Sequence, residues 1–303
     1  MTDEIAYFQG TLVAASDLSV SVRDQGFVLG VTVSERLRTF GGKLFRLVEH
    51  LRRLSQSLEI IGLAEAVALP DLAIITEQLV THNLRLLDPA DDLGVCMFVT
   101  PGDGGLDDEG NPSSTVCVYT YPLPFRTWVD EYTHGSQVVV SGVQQVPTNC
   151  WPAELKCRSR MHYYLADREA ARQIPGARAI LLDDEGHVSE ASTANVLLYR
   201  EGEGLISPCL HKILPGISLA TVQELAAEQK IDFVNRDVQP NELQTADEVL
   251  LCSTSPCVWS VTHVGETPVG DGLPGPVARQ LLQAWSERVG IDIPGQARAF
   301  AAR

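Results

Sequence analysis

The chain has 303 residues, of which 45% are hydrophobic and 20% are charged, a composition typical of a folded globular protein and not of a disordered one. Its 39 acidic and 23 basic residues give a net charge of −16, and because such a surface repels phosphate backbones we expect no nucleic-acid partner. No run approaches the roughly 18 consecutive apolar residues of a membrane span, so we expect no membrane partner either. A chain of this length favours two domains.

Clusters of predicted strands and helices are interleaved in the first half of the chain. Runs of alternating apolar residues bounded by turn residues predict strands, the first two of which form a hairpin. The predicted strands are residues 11–14, 18–22, 33–40, 43–46, 94–99 and 115–121. Leucines spaced by four and three residues predict an amphipathic helix from Leu47 to Ile61, and a second helix is predicted over residues 71–87. A Gly- and Asp-rich loop is predicted over residues 101–112.

The second half of the chain also contains both strand and helix patterns. The predicted strands are residues 136–140, 179–182, 194–199, 248–252 and 258–264, with another from residue 188 onward. The predicted helices are residues 156–173, 218–229 and 274–289. Because strands and helices do not follow strict βαβ alternation, we predict the α+β class with largely antiparallel sheets.

The domain boundary is placed by two prolines, Pro122 and Pro124, which interrupt the strand pattern. We predict a small N-terminal domain over residues 1–121, a linker over residues 122–131 and a larger C-terminal domain over residues 132–303.

The cellular compartment is indicated by the N-terminus and the cysteines. Met1-Thr2-Asp3-Glu4 is acidic where a secretory signal peptide needs basic charge, and no apolar segment follows it. The seven cysteines are scattered without a CxxC pair, which favours free thiols and offers zinc no paired ligands. We therefore predict a cytoplasmic protein without a metal site.

Lys156 has an unusual setting for a lysine. It follows an irregular loop over residues 147–152 at the predicted start of a helix, and Arg158 and Arg160 lie nearby. Neighbouring cations and burial lower the pKa of an amine, which a lysine that forms an imine requires. The ordinary alternative is a solvent-exposed lysine.

Glu190 lies in a predicted hairpin beside a hydroxyl-rich run and a very apolar strand. A buried carboxylate is costly unless it is paired, and a protonated pyridine nitrogen would be such a partner. The ring could then accept electrons from a substrate carbanion. The alternative is a solvated glutamate on an edge strand.

A phosphate site is indicated in two places. The first long helix has a basic polar face with Arg46, Arg52 and Arg53, where one guanidinium that turns inward could bind a phosphate, although a solvated position is the ordinary alternative for each of them. Ile217 and Ser218 begin a predicted helix, and free N–H groups at a helix start bind phosphate well. Simple capping by Ser218 is compatible with this interpretation.

Six motifs, in this order, resemble those of the fold-type IV pyridoxal-5′-phosphate (PLP) enzymes. That group contains the branched-chain aminotransferases, the D-amino-acid aminotransferases and the aminodeoxychorismate lyases. The motifs are Arg23-Asp24-Gln25-Gly26-Phe27 with Gly30, His50-Leu51-Arg52-Arg53-Leu54, Leu155-Lys156, Val188-Ser189-Glu190 with Asn195-Val196, Ile213-Leu214-Pro215-Gly216-Ile217-Ser218, and Gly270-Asp271-Gly272-Leu273-Pro274-Gly275-Pro276. Each motif is weak alone, but the six together cover nearly the whole chain.

The resemblance implies PLP as the cofactor and amino acids and 2-oxo acids as substrates. It implies that Lys156 attaches the cofactor and moves the substrate proton, and that Glu190 binds the ring nitrogen. It implies phosphate or other cofactor contacts from further residues, namely Arg53, Asn195, Ile217, Ser218 and Thr254. It also implies a small N-terminal α+β domain, a larger pseudo-barrel C-terminal domain and a homodimer.

The residues expected to line the substrate pocket depart from the family pattern. Thr32 and Ser34 stand where many relatives have glycine and an aromatic residue, and Pro101 follows Val99-Thr100 where D-amino-acid aminotransferases often have arginine. We therefore expect an altered pocket, in which one of several arginines binds the substrate carboxylate. The candidate substrate-binding residues are Ser34, Arg36, Arg38, Arg158, Arg160 and Ser255.

The leading hypothesis is an aminotransferase, with branched-chain or other apolar amino acids as the favoured substrates. The alternatives are a lyase that releases pyruvate from aminodeoxychorismate, a D-amino-acid or amine transaminase, and a PLP-binding protein without turnover. Formation of pyruvate without an amino acceptor distinguishes the lyase.

Overall fold

The computed structural model describes residues 3–105 and 113–302, so part of the predicted loop over residues 101–112 lies outside the described residues. The chain divides into two compact units: Met1–Leu123 with Leu155–Ser159, and Pro124–Glu154 with Arg160–Arg303. No helix within those described ranges has the length and apolar character needed to cross a membrane.

The first unit is a sheet with its two long helices packed on one face. Its strands are β1 (Ile5–Phe8), β2 (Thr11–Ala14), β3 (Val33–Phe40), β4 (Lys43–Leu44), β5 (Leu93–Thr100) and β6 (Thr115–Pro122). Its helices are α1 (Gln25–Val28), α2 (Leu47–Ile60) and α3 (Leu69–Leu84). The strand order is β2-β1-β6-β5-β3-β4, and every pairing is antiparallel.

The helix-covered face of this sheet forms the core of the first unit. The predicted leucine stripe of α2 is buried against alternate strand residues such as Val33, Leu37 and Val95. Because strand side chains alternate between faces, Ser34, Arg36 and the other even-numbered residues of β3 lie on the opposite face. That opposite face holds several of the candidate substrate-binding residues.

The second unit contains the remaining elements. Its helices are α4 (Glu131–His134), α5 (Met161–Gln173), α6 (Ile217–Glu228), α7 (Glu242–Thr245), α8 (Pro276–Val289) and α9 (Ile293–Phe300). Its strands are β7 (Ser136–Val140), β8 (Arg178–Leu182), β9 (Val188–Ala191), β10 (Ala194–Arg200), β11 (Gly204–Ser207), β12 (Phe233–Asn235), β13 (Glu248–Ser253), β14 (Cys257–Val264) and β15 (Thr267–Pro268).

The sheet of the second unit closes on itself. Along the path β10-β13-β14-β7-β8-β9, the last strand pairs again with the first, which produces a barrel-like ring. Most pairings are antiparallel, but β7 pairs in parallel with both β14 and β8, and β11 pairs in parallel with β12. The predicted α+β class with a small sheet domain and a larger pseudo-barrel is confirmed.

Two predicted elements were wrong. Residues 18–22 form no strand; the partner of β2 is instead β1, whose register runs from Ile5 opposite Ala14 to Phe8 opposite Thr11. The helix predicted from residue 156 begins at Met161, because the backbone groups before it are bonded to β3. For the same reason Lys156, predicted within the larger domain, groups with the first unit.

Candidate active site

Lys156 lies in an extended segment that pairs with the edge of β3. The N–H of Ser34 donates to the Lys156 carbonyl at 3.0 Å, and the N–H of Arg158 donates to the Thr32 carbonyl at 2.8 Å. The N–H of Lys156 donates to Oγ of Ser57 on α2 at 3.1 Å. These bonds fix the backbone on both sides of the lysine.

The direction of the Lys156 side chain follows from this pairing. Val33 and Cys157 face each other across an antiparallel bridge, so Lys156 stands opposite Ser34. Side chains of directly opposed residues share a face, and neighbours along a strand alternate. Lys156 and Arg158 therefore lie on the same side of this segment as Ser34.

A buried ionic network lies on the helix-covered face of the same strand. Nε and Nη2 of Arg53 donate to the two carboxylate oxygens of Glu35 at 2.7 and 2.8 Å, and Nδ1 of His50 lies 2.7 Å from Oε2 of Glu35. Burial alone would raise the pKa of Glu35, but the charge of Arg53 and the hydrogen bonds from Arg53 and His50 hold that pKa well below its usual range. Glu35 is therefore ionised and accepts from both partners.

The same network fixes the state of His50. Burial lowers the pKa of His50, although the bond to Glu35 opposes the shift, so the ring is neutral at neutral pH. Nδ1 holds the proton that is donated to Glu35, and Nε2 is left as a buried acceptor with no hydrogen-bond partner in the part of the chain described. Arg53, the predicted phosphate ligand, thus has an ionised partner that the sequence analysis did not propose.

Glu190 is the corresponding feature of the second unit. It lies on β9 opposite Asn195 and is 6% exposed. Its Oε1 accepts from the hydroxyl of Tyr163 and from Nε2 of Gln145, each at 2.6 Å. Burial, with the charge of Glu190 added, raises the pKa of Tyr163 well above its usual value, so the phenol remains a proton donor. The carboxylate is therefore oriented by two donors on one oxygen.

The two donors to Glu190 were missed by the sequence analysis. Tyr163 lies in the first turn of α5, seven residues after Lys156, and Gln145 follows β7. A polar residue near a motif is common, and no local pattern distinguishes these two from solvated side chains. The role of Tyr163 and Gln145 becomes visible only in the folded structure, in which the strand order brings both residues beside β9.

Asn195 connects β10 to the start of α6. Its Nδ2 donates to the carbonyl of Leu214 at 2.9 Å, and its side chain packs so closely on Gly216 that a Cβ there would collide with the amide. Helix α6 begins at Ile217 without a side-chain cap on its N-terminus. The first-turn N–H groups of Ile217 and Ser218 thus stand uncapped at the positive end of the helix dipole, which suits an anion.

Arg38, a candidate for the substrate carboxylate, lies inside the first unit. It is 0% exposed, its Nε donates to the Thr39 carbonyl at 3.0 Å, and its Nη2 lies 3.9 Å from the carboxylate of Asp92. The guanidinium also stacks 4.1 Å from the centre of the Phe40 ring. These contacts make Arg38 a structural residue of the sheet.

Arg36 and Arg158 are exposed, in contrast to Arg38. Arg36 lies over the ring of Tyr121 at 5.3 Å, and Nη2 of Arg158 lies 2.6 Å from Sγ of Cys96. Ser34 is buried beside them on β3. These three predicted residues share one face of the first unit.

The remaining candidates lie in the second unit. Arg160 occupies the N-cap position of α5 without a side-chain cap bond of its own. Thr254 and Ser255 form the turn between β13 and β14 and are half-buried.

One group of potential metal ligands lies near the β8–β9 turn of the second unit. Asp183, Glu185 and His187 place their ligand atoms close together, but Nζ of Lys212 lies 3.1 Å from Asp183 and 2.6 Å from Glu185. An ammonium already balances these carboxylates.

Comparison with known proteins identifies the family. The model described as amino-transferase class IV matches residues 32–264. The chain is 28% identical over 277 residues to the D-alanine aminotransferase of Bacillus licheniformis, covering 91% of this chain and 94% of the relative. It resembles the crystal structure of the Escherichia coli branched-chain amino acid aminotransferase with a TM-score of 0.85 and 25% identity over 94% of each chain. The T.th. branched-chain amino acid aminotransferase, solved with pyridoxamine 5′-phosphate, shares the fold at a TM-score of 0.81, with 23% identity over 95% of each chain.

This chain belongs to the class IV aminotransferase family, whose members use PLP. The predictions of the family, the enzyme class and the cofactor are therefore confirmed. The residues present fit the cofactor chemically: a lysine on a fixed backbone, an oriented buried carboxylate and an uncapped helix N-terminus.

Proposed function

We propose that this enzyme transfers an amino group between an amino acid and a 2-oxo acid, with Lys156 as the residue that holds PLP. The observation that supports this assignment is the fixed extended segment around Lys156, whose backbone is bonded to Ser34 and to Ser57. A lysine pinned on both sides loses little further backbone freedom when it forms a covalent bond.

The proposed roles follow from the groups that each residue offers. PLP, when bound, supplies the electron sink for the substrate α-carbon. Nζ of Lys156 would take the proton from the substrate α-carbon as a base and deliver it to C4′ of the cofactor as an acid. Glu190, oriented by Tyr163 and Gln145, pairs with a protonated ring nitrogen.

The phosphate group is assigned to the start of α6 and to Arg53. The N–H groups of Ile217 and Ser218 provide donors and a helix dipole, and Asn195 holds the preceding loop. Arg53 is charge-balanced by Glu35, so we assign it the role of a positioned donor rather than of a free cation. Thr254 adds a hydroxyl from the β13–β14 turn.

Two classes of amino acid are candidates for the substrate. Branched-chain or other apolar amino acids are the favoured donors, supported by the likeness to the E. coli branched-chain enzyme. The similarity to D-alanine aminotransferases supports D-amino acids as the second candidate.

A half-reaction screen tests the choice. Both enantiomers of branched-chain, small and acidic amino acids are mixed with the PLP-loaded enzyme, and the cofactor absorbance is followed. We expect a change with one enantiomer of the branched-chain amino acids. A change with D-alanine alone would replace this substrate class by the second candidate, and pyruvate released without an acceptor would indicate a lyase.

We also infer a homodimer in the cytoplasm. Val22, Phe27, Val28 and Leu29, the α1 patch, expose large apolar side chains within eight residues of the chain, and exposed apolar patches often mark interfaces. The seven cysteines are free thiols, as a reducing compartment favours.

The dimer is tested by charging that patch. In Leu29→Asp we expect the mass measured by light scattering to fall to that of one chain, because the second copy would have to bury a carboxylate. Ile74→Asp, at an exposed position of α3, is the control and should keep the wild-type mass. A monomeric wild-type protein, or equal dissociation of both variants, would contradict the assignment.

A further inference from the structure

The backbone N–H of Lys156 is bonded to a helix side chain. In a regular antiparallel ladder, two residues that form a hydrogen-bonded pair exchange both of their N–H···O bonds. For Lys156 and Ser34, the first of these is present, since the N–H of Ser34 donates to the Lys156 carbonyl at 3.0 Å. The N–H of Lys156 donates to Oγ of Ser57, on α2, at 3.1 Å. The backbone therefore turns from its strand partner to the helix at the lysine itself.

Lys156 is also the central residue of a three-residue turn. The N–H of Cys157 donates to the carbonyl of Leu155 at 3.1 Å, which is the bond that closes a γ-turn. Because the chain bends at Lys156, the direction of its side chain depends on the two peptide groups that flank it. One of them carries the carbonyl bonded to Ser34, and the other carries the N–H bonded to Ser57. Of these two bonds, only the one to Ser57 is made by a side chain.

Ser57 is a well-fixed partner for this N–H. It lies on α2 and is 1% exposed, and its helix neighbours Leu54 and Leu58 are part of the buried core of the first unit. A serine side chain has a single torsion between heavy atoms, so the packing of α2 sets the position of Oγ. Without that oxygen, the N–H of Lys156 would lose its acceptor at a position that is nearly closed to water, which carries a desolvation cost.

The same helix holds a residue assigned to the cofactor. Arg53 precedes Ser57 by one helical turn, so the two lie on the same face of α2, and Arg53 is fixed by its ion pair with Glu35 of β3. One rigid element thus carries both the proposed phosphate donor and the anchor of the lysine backbone. Its packing on the sheet keeps the two in a constant relation.

We propose that Ser57 is a positioning residue for Lys156, which holds the lysine backbone so that Nζ is directed to the proton that it moves. A small rotation of the peptide group is carried along the whole lysine side chain and displaces Nζ by a larger distance. Proton transfer is sensitive to such an error, since a displacement of about 1 Å can cost about 100-fold in rate. This role rests on the proposed function of Lys156, whereas the hydrogen bond itself does not.

The PLP-loaded Ser57→Ala enzyme tests this role with two measurements. By NMR, we expect the amide hydrogen of Lys156 to exchange with solvent at least about tenfold faster, as the loss of one buried hydrogen bond predicts. In stopped-flow half-reactions, we expect the rate at saturating amino acid to fall about 10- to 100-fold and the isotope effect of α-deuterated amino acid to increase. The amino acid concentration that gives half of this rate should change by less than about threefold, since Ser57 holds the lysine and not the substrate.

Two further variants separate positioning from helix stability and folding. Ser55→Ala makes the same substitution on the same helix, where the hydroxyl donates to Glu59 and is partly exposed, and it should behave as the wild type in both measurements. Ser57→Cys keeps a group of similar size that is a weaker acceptor, so its values should fall between those of the wild type and of Ser57→Ala. It also keeps the proposal testable if the alanine variant does not fold.

Faster exchange of the Lys156 amide together with an unchanged half-reaction rate and isotope effect would overturn the proposal, because the bond would then serve the fold alone. Unchanged exchange in Ser57→Ala, or equal losses in Ser55→Ala, would do the same. Borohydride trapping distinguishes this failure from that of the proposed function. If the wild type traps no cofactor on Lys156, the proposed function fails. If cofactor is trapped there in both wild type and Ser57→Ala while their half-reaction rates agree, the proposed function stands and the positioning role fails.

Discussion

Replacing Lys156 with alanine is expected to lower the rate of amino transfer by at least about 1000-fold, because the nucleophile and the acid–base group are then lost together. The variant should also lose the covalent attachment of PLP. Steady-state transamination measures the first effect. Mass spectrometry after borohydride reduction measures the second, since reduction makes an imine permanent.

Two further variants separate chemistry from charge and folding. Lys156→Arg keeps a cation at the same position but cannot form the imine, so it should be as inactive as the alanine variant. Lys43→Ala, on β4 of the same unit, removes a lysine away from the proposed site and should retain wild-type attachment and activity. Cofactor still trapped on the protein in Lys156→Ala would show that another lysine holds it.

The cofactor residues could be proposed from the sequence because their motifs are local and ordered. Lys156, Glu190 and the Ile217-Ser218 turn each lie within a short run whose neighbours follow the family pattern. The barrel-like sheet and the small antiparallel sheet followed from the same resemblance. Leucine spacing alone was enough to predict α2 and its buried face.

The contacts around those residues depend on the tertiary structure and were not visible in the sequence. Arg53 and Glu35 are 18 residues apart and meet because α2 packs on β3. Lys156 was placed at the start of a helix, but the backbone bonds of its segment to β3 keep it extended, and α5 begins at Met161. Pairings between distant segments decide these positions, and a single sequence holds no record of them.

The four arginines proposed to bind the substrate carboxylate also could not be told apart from the sequence. All were equivalent by residue type, but the structure buries Arg38 beside Asp92 and leaves Arg36 and Arg158 exposed on one face. Strand alternation does not distinguish Arg36 from Arg38, because both are even-numbered residues of β3. The acidic partner of Arg38 separates them, and Asp92 is 54 residues further along the chain.

Neutralising Glu35 is expected to cause the largest loss of stability. In the cofactor-free Glu35→Gln protein the buried guanidinium of Arg53 loses its ion pair with residue 35, which costs about 3–5 kcal/mol of unfolding free energy. Denaturant unfolding of the two proteins at neutral pH measures the difference. Glu49→Gln, which removes the partly exposed partner of Arg46 at the start of the same helix, is the control and should cost less than about 1 kcal/mol.

The pH dependence of this difference identifies its cause. The pKa of Glu35 in the folded protein lies below its unfolded value of about 4.3, so the ionised carboxylate stabilises the fold above that pH. The contribution is lost as the pH falls through the folded value, where the carboxylate of the wild-type protein is itself protonated. The gap in unfolding free energy between wild type and Glu35→Gln should therefore be full near neutral pH and shrink in acid. A gap that stayed constant with pH would assign the loss to packing around the amide and not to the charge of Arg53.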